Sequence, residues 1–206
     1  MNDPPPLYVI LDRTSAHDAG HTIPEVAEAA YAGGARLFQC RFKELDDEEN
    51  GALCREVLRV VGPDATVVVN GRADIAASVE ADGVHLRSSG GIAADVREVG
   101  LPVVGRSCHA VADALRAEDE GADFITISPI FRSESKPDYG PPLGLGGLHS
   151  VCEAVDIPVY ALAGITPERI EPCLEAGAHG VAVMSGICGA ENVAEVTRRY
   201  VHACRG

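Results

Sequence analysis

Short runs of β-branched and other apolar residues alternate along this chain with longer stretches in which alanine and charged side chains recur at helical spacing. The apolar runs fall at 8–11, 37–41, 66–70, 83–86, 103–107, 124–127, 159–161 and 180–183, which predicts eight strands. Helical patterns lie at 23–31, 48–61, 111–120 and 167–175, the last opening on Thr166-Pro167, a cap followed by a first-turn proline. The stretch 71–80 also reads as helix, entered directly from a strand.

A weak repeat organises these elements. Gly33-Gly34-Ala35-Arg36-Leu37, Ala81-Asp82-Gly83-Val84, Gly121-Ala122-Asp123-Phe124 and Gly177-Ala178-His179-Gly180-Val181 each stand between a helix and a strand. A small residue there lets the helix end in a left-handed conformation before a tight turn into the strand. Recurrence of one joint predicts repeated βα units and parallel strands. Eight units of about 26 residues fit a compact (β/α)₈ TIM barrel near its lower size limit. The rival is a doubly wound open sheet. Its glycine-rich fingerprint is missing, since Leu11 is followed by Asp12-Arg13-Thr14-Ser15, and the barrel is the preferred fold.

Residues 1–206 are read as one domain, with 1–6 as a flexible tail. The segment 128–147 breaks the rhythm, being rich in proline, glycine and serine. After the sixth strand it would lie over the barrel mouth, and it is read as a partly mobile, substrate-covering loop. With 17 basic and 31 acidic side chains the net charge is −14, which argues against nucleic-acid binding but not against a small anionic ligand. No apolar run approaches the length of a membrane span, and the start of the chain lacks a signal-peptide pattern. Seven cysteines at irregular spacing, without C-x-x-C, read as reduced buried thiols of a cytoplasmic protein.

In a barrel the chemistry gathers at the C-terminal strand ends. Those ends carry Asp12 and Arg13, Arg41 and Lys43, Asn70 and Arg72, Arg87, Ser107 and His109, Ser128, Gly164, and Met184-Ser185-Gly186. Four arginines and a lysine on one rim point to an anionic ligand. Ala163-Gly164-Ile165-Thr166 and Val183-Met184-Ser185-Gly186 are small-residue turns that open into helices, suited to holding a phosphate through backbone N–H groups. His17, His21, His149 and His202 are read as solvated, His85 and His179 as packed. His109, at the mouth end of strand five, is open to either proton transfer or a structural hydrogen bond.

At these residues the sequence resembles the thiamine phosphate synthase superfamily, and within it the thiazole tautomerase (TenI) branch. The anchors are Gln39-Cys40-Arg41-Phe42-Lys43, Asn70-Gly71-Arg72-Ala73-Asp74-Ile75-Ala76, Gly83-Val84-His85-Leu86, Gly105-Arg106-Ser107-Cys108-His109, Ala161-Leu162-Ala163-Gly164-Ile165 and Gly180-Val181-Ala182-Val183-Met184-Ser185-Gly186-Ile187. The family pattern implies a TIM barrel. In its synthases a pyrimidine diphosphate is joined to a thiazole phosphate, and pyrophosphate leaves with Mg²⁺ held by two aspartates. One follows the strand-three asparagine, where this chain has Gly71. The other lies shortly after the G-V-H-L segment, where this chain runs Arg87-Ser88-Ser89-Gly90-Gly91.

The loss of both carboxylates directs the reading to the tautomerase branch. That resemblance implies isomerisation of a non-aromatic thiazole carboxylate phosphate to its aromatic tautomer, without metal or cofactor, with His109 as the acid/base residue. It also implies that Gly164, Met184 and Ser185 hold the phosphate, with help from Ser133 and Ser135. Arg41, Lys43 or Lys136 would meet the carboxylate. Gln39, Arg41, Lys43, Asn70, Ser107 and Lys136 match synthase residues that contact the pyrimidine diphosphate. The expected partner is a small phosphorylated thiazole, with neither nucleic acid nor membrane, and a homo-oligomer remains open. The alternatives are a Mg²⁺-dependent thiamine phosphate synthase and a non-catalytic barrel that binds a phosphorylated ligand.

Overall fold

The computed structural model describes residues 4–91, 93–132 and 141–206. Eight parallel strands close into one barrel in chain order. They are β1 (Leu7–Leu11), β2 (Leu37–Cys40), β3 (Thr66–Asn70), β4 (Gly83–Leu86), β5 (Val103–Cys108), β6 (Phe124–Ile127), β7 (Val159–Leu162) and β8 (Gly180–Val183). Every expected strand is present, and its ends move by no more than one residue.

Alternation along these strands builds two cores. Inward-facing Tyr8, Leu37, Val68, Phe124, Tyr160 and Ala182 fill the barrel, while Val9, Leu11, Phe38, Val67 and Val69 face outward into the shared core beneath the helices. Tyr8, Phe124 and Tyr160 meet edge to face, with ring centroids 5.5–5.7 Å apart. Gly105 makes this floor possible. A Cβ there would lie 2.4 Å from the Phe124 ring and 2.6 Å from His85 Nδ1.

The anticipated joints recur with one change. Gly34, Gly121 and Gly177 have φ of +104°, +85° and +99°, but Glu80, at φ +57°, takes the left-handed position in the second joint. The aspartates of two joints close the ladder across the sheet. Asp82 Oδ2 accepts from the Val67 N–H, and Asp123 Oδ2 from the Val104 N–H, each at 2.7 Å.

The helices surround the barrel as α1 (Arg13–Asp18), α2 (Ile23–Ala32), α3 (Asp47–Val60), α4 (Ala73–Ser78), α5 (Ala93–Glu98), α6 (Val111–Asp119), α7 (Gly144–Cys152), α8 (Ile170–Glu175), α9 (Ser185–Cys188) and α10 (Val193–Ala203). A 3₁₀ turn (Pro167–Arg169) precedes α8. Two expectations need correcting. The helix after β3 starts at Ala73, because Gly71 has φ +68° and forms a turn. The loop after β6 ends by Leu143, since residues 144–147 belong to α7, and positions 133–140 lie outside the described residues.

Pro4, Pro5 and Pro6, expected in a flexible tail, are bonded across the base of the barrel. Their carbonyls accept from His179 Nε2 (2.6 Å), Tyr160 Oη (2.7 Å) and the Val181 N–H (2.9 Å). The seven cysteines are unpaired thiols; all but Cys152 are buried. Among the described residues no helix is long and apolar enough to cross a membrane.

Candidate active site at the barrel mouth

A cavity of about 720 Å³ opens at the C-terminal ends of the strands. Of the residues expected to form a site, Gln39, Arg41, Lys43, Asn70, Ser107, His109, Gly164, Met184 and Ser185 all line it. Ser133, Ser135 and Lys136 lie outside the described residues. Among the described residues no carboxylate lines the cavity, although the chain as a whole carries a charge of −14.

The cations fall on two halves of the closed barrel. Arg41 and Lys43 follow β2, and Arg87 follows β4; Arg132 follows β6, and Arg169 follows β7. Their charges make the mouth attractive to anions against the overall field. Arg41 is held in place, because its Nη1 donates to Asp12 Oδ2 at 2.8 Å and approaches Met184 Sδ at 3.8 Å. Asp12 in turn caps α1 by accepting from the Ser15 N–H at 3.1 Å.

Two arginines expected at this rim are drawn away from it. Arg13 pairs with Glu44 at 3.1 Å. Arg72 is clamped by Asp47 and Asp74, with Nη2 2.7 Å from an oxygen of each. Arg132 and Arg169 replace them. Arg169 donates to the Gly164 carbonyl at 2.6 Å and stacks its guanidinium 4.7 Å from the Phe131 ring centre.

The β7 and β8 turns are tightly built. Ala163 (φ +82°) and Gly164 (φ +66°) are consecutive left-handed residues, an uncommon conformation for alanine. A Cβ on Gly164 would lie 2.5 Å from the Arg132 carbonyl oxygen. After β8, Ile187 and Cys188 donate the first bonds of α9 to the Met184 carbonyl. The N–H groups of Ser185 and Gly186 therefore precede the helical ladder at the cavity edge.

Among the described residues two histidines reach the cavity, in different surroundings. His85 is 2% exposed, with Nδ1 3.2 Å from Tyr8 Oη and Nε2 3.1 Å from Ser107 Oγ. Burial lowers its pKa to about 3, so it is a neutral ring that ties the packed floor to the cavity. The expectation of a packing role for His85 was incomplete. Strand alternation from Gln39 and Asn70 carries the signal that it faces inward. His109 Nδ1 lies 2.9 Å from the Ser128 carbonyl. A carbonyl only accepts, so Nδ1 carries the proton, and in the neutral ring Nε2 has the lone pair. Cys108 beside it points outward into the core, and burial pushes its thiol up to about 12.

Fold and cavity together define a TIM-barrel protein with a cation-lined cavity at its mouth. The chain belongs to the thiamine monophosphate synthase family, whose pattern matches residues 7–187. It is 39% identical to the thiamine-phosphate synthase of Moorella thermoacetica, over 94% of this chain and 92% of that one. It is 38% identical to the thiamine-phosphate synthase of Methanoculleus marisnigri, over 93% and 92%. Thiamine phosphate pyrophosphorylase from Pyrococcus furiosus superposes with a TM-score of 0.87 at 30% identity, covering 98% and 96%.

These relatives overturn the tautomerase expectation, because synthases by name align with nearly the whole chain. The expectation rested on two missing carboxylates and on the likeness of Asn70-Gly71-Arg72-Ala73-Asp74-Ile75-Ala76 and Gly105-Arg106-Ser107-Cys108-His109 to the tautomerase branch. Loss of the carboxylates changes how a leaving anion is neutralised, and does not by itself change the reaction. A synthase-type Mg²⁺ site does not fit the residues present. Gly71 and the run Arg87-Ser88-Ser89-Gly90-Gly91 stand at the places concerned, and among the described residues no carboxylate lines the cavity.

Proposed function

We propose that the protein is a thiamine-phosphate synthase, joining a pyrimidine diphosphate to a thiazole phosphate. In this transfer the bond from the pyrimidine's methylene carbon to the diphosphate oxygen breaks, and pyrophosphate leaves with the electron pair. The thiazole nitrogen forms the new bond to that carbon. No hydrogen on carbon moves, so the reading gives His109 a positioning role through hydrogen bonding and no proton transfer.

One observation carries this reading: a cavity without a lining carboxylate among the described residues, with cationic or N–H-rich groups on two opposed halves of the barrel. Two phosphorylated substrates require two such ends. Gln39, Arg41, Lys43, Asn70 and Ser107 are assigned to the pyrimidine diphosphate on the β2–β5 side. Gly164, Met184 and Ser185 are assigned to the thiazole phosphate on the β7–β8 side. Between them the apolar Ile10, Leu162 and Ala182 offer a surface for flat rings.

The test supplies both substrates to the purified protein and follows thiamine phosphate and pyrophosphate, with Mg²⁺ and in excess EDTA. Equimolar formation of both products in either condition supports the assignment. Absence of product in both conditions refutes it.

A further inference from the structure

We propose that the Arg87 guanidinium, lying over Gly71, takes the pyrophosphate end of the substrate in place of a divalent cation. The inference rests on the synthase reading and adds to it the means of charge neutralisation. Three observations support it. First, Asn70 pairs with His85 across β3 and β4, and the Gly71 N–H continues the ladder to the His85 carbonyl at 2.8 Å, so the two strand ends are adjacent. Second, Arg87 Nε comes within 3.1 Å of where a Gly71 Cβ would stand, and its Cγ within 3.6 Å. The side chain thus lies across the place that a side chain at position 71 would occupy. Third, Arg87 lines the cavity and makes no ion pair among the described residues, whereas Arg13, Arg72 and Arg106 are each paired with an acid.

The chemistry is consistent. A departing pyrophosphate needs positive charge and directed donors, and a planar guanidinium supplies both through paired N–H···O bonds. A carboxylate pair would draw in Mg²⁺, but beside Arg87 it would instead form a salt bridge and cancel the donor. Gly71 avoids that. The loop carrying Ser88 and Ser89 is fixed from behind. Arg106 donates to the carbonyls of Gly90 and Gly91, each at 3.2 Å, and is paired with Glu120.

The test measures binding of inorganic pyrophosphate by calorimetry to metal-stripped protein in EDTA, for wild type, Arg87→Ala and Arg87→Lys. Arg87 is exposed, so its truncation leaves the core intact. Wild type is expected to bind without metal, Arg87→Ala at least about tenfold more weakly, and Arg87→Lys in between. Wild-type binding that requires Mg²⁺, or unchanged affinity in Arg87→Ala, overturns the inference. Substrate coupling is assayed in parallel. Coupling that needs Mg²⁺ and is indifferent to Arg87 leaves the synthase reading standing and this inference refuted. Arg87-dependent pyrophosphate binding without any coupling does the reverse.

Discussion

Asp12, just after β1, and Arg41, just after the adjacent β2, meet at 2.8 Å, and both side chains are more than four-fifths buried. One carboxylate therefore does two things: it caps α1 and orients a cavity cation. The two contributions can be separated. Asp12→Asn keeps an acceptor for the Ser15 N–H but removes the charge facing Arg41. It is expected to raise KM for the diphosphate substrate by roughly three- to tenfold with little change in kcat. Asp12→Ala also loses the cap and should cost about 0.5–2 kcal/mol in denaturant unfolding. Equal kinetics for wild type and Asp12→Asn would show that Arg41 holds its place unaided.

Acid stability should depend on His85. Its folded pKa is near 3, while an unfolded histidine titrates near 6.5. Between these values the unfolded chain binds a proton that the folded barrel refuses. Stability is therefore fully present above about pH 6.5 and is lost progressively as the pH falls toward 3, by at most about 1.4 kcal/mol per unit from this residue. His85→Gln retains polar groups for Tyr8 and Ser107 and lacks the titration. Thermal unfolding followed from pH 7 to pH 4 should fall less steeply in the variant. An unchanged slope would assign acid sensitivity to other groups.

The β7 turn offers a prediction from sterics alone. Gly164→Ala places a methyl group 2.5 Å from a backbone oxygen and 2.8 Å from Phe131 Cβ, on a residue already at φ +66°. The left-handed conformation alone costs about 1–2 kcal/mol, and the clash adds to it by displacing the Phe131–Arg132 segment. A lowered melting temperature together with a weaker grip on inorganic phosphate is expected. Preserved phosphate affinity would move the phosphate away from this turn.

Much of this architecture is legible in the chain, because a barrel strand is a short apolar run between two turn signals. Tyr8, Leu37 and Phe124 announce themselves that way. Helix α7 does not, since three of its first four residues, Gly144, Gly146 and Gly147, are poor helix formers held there by tertiary contacts. The motif residues at the strand ends converge as expected, for strand alternation aims them inward. Which cations stay free to meet a ligand is not a local property. Arg72 faces Asp47, twenty-five positions away on α3, and Arg13 faces Glu44 beyond β2. These two long-range pairings follow from closure of the barrel, and no spacing in the sequence encodes them. Reading the missing carboxylates as a change of reaction failed for a related reason: on the inference above, the compensating cation, Arg87, follows the neighbouring strand.

The last prediction returns a carboxylate to that place. Gly71→Asp sets a Cβ 3.1 Å from Arg87 Nε, the far part of a flexible side chain that can yield by a few tenths of an ångström. Aspartate tolerates a left-handed φ better than most residues, so the fold should survive with a loss of about 1–2 kcal/mol. The new carboxylate is within reach of the guanidinium, and the pair it forms competes with any anion. Pyrophosphate affinity in EDTA should then drop by about tenfold or more. Gly71→Asn has the same shape and backbone strain without the charge, and should bind pyrophosphate nearly as wild type does. If Gly71→Asp and Gly71→Asn behave alike, the effect is steric. If Gly71→Asp binds as tightly as wild type without metal, Arg87 is not the group that meets the pyrophosphate.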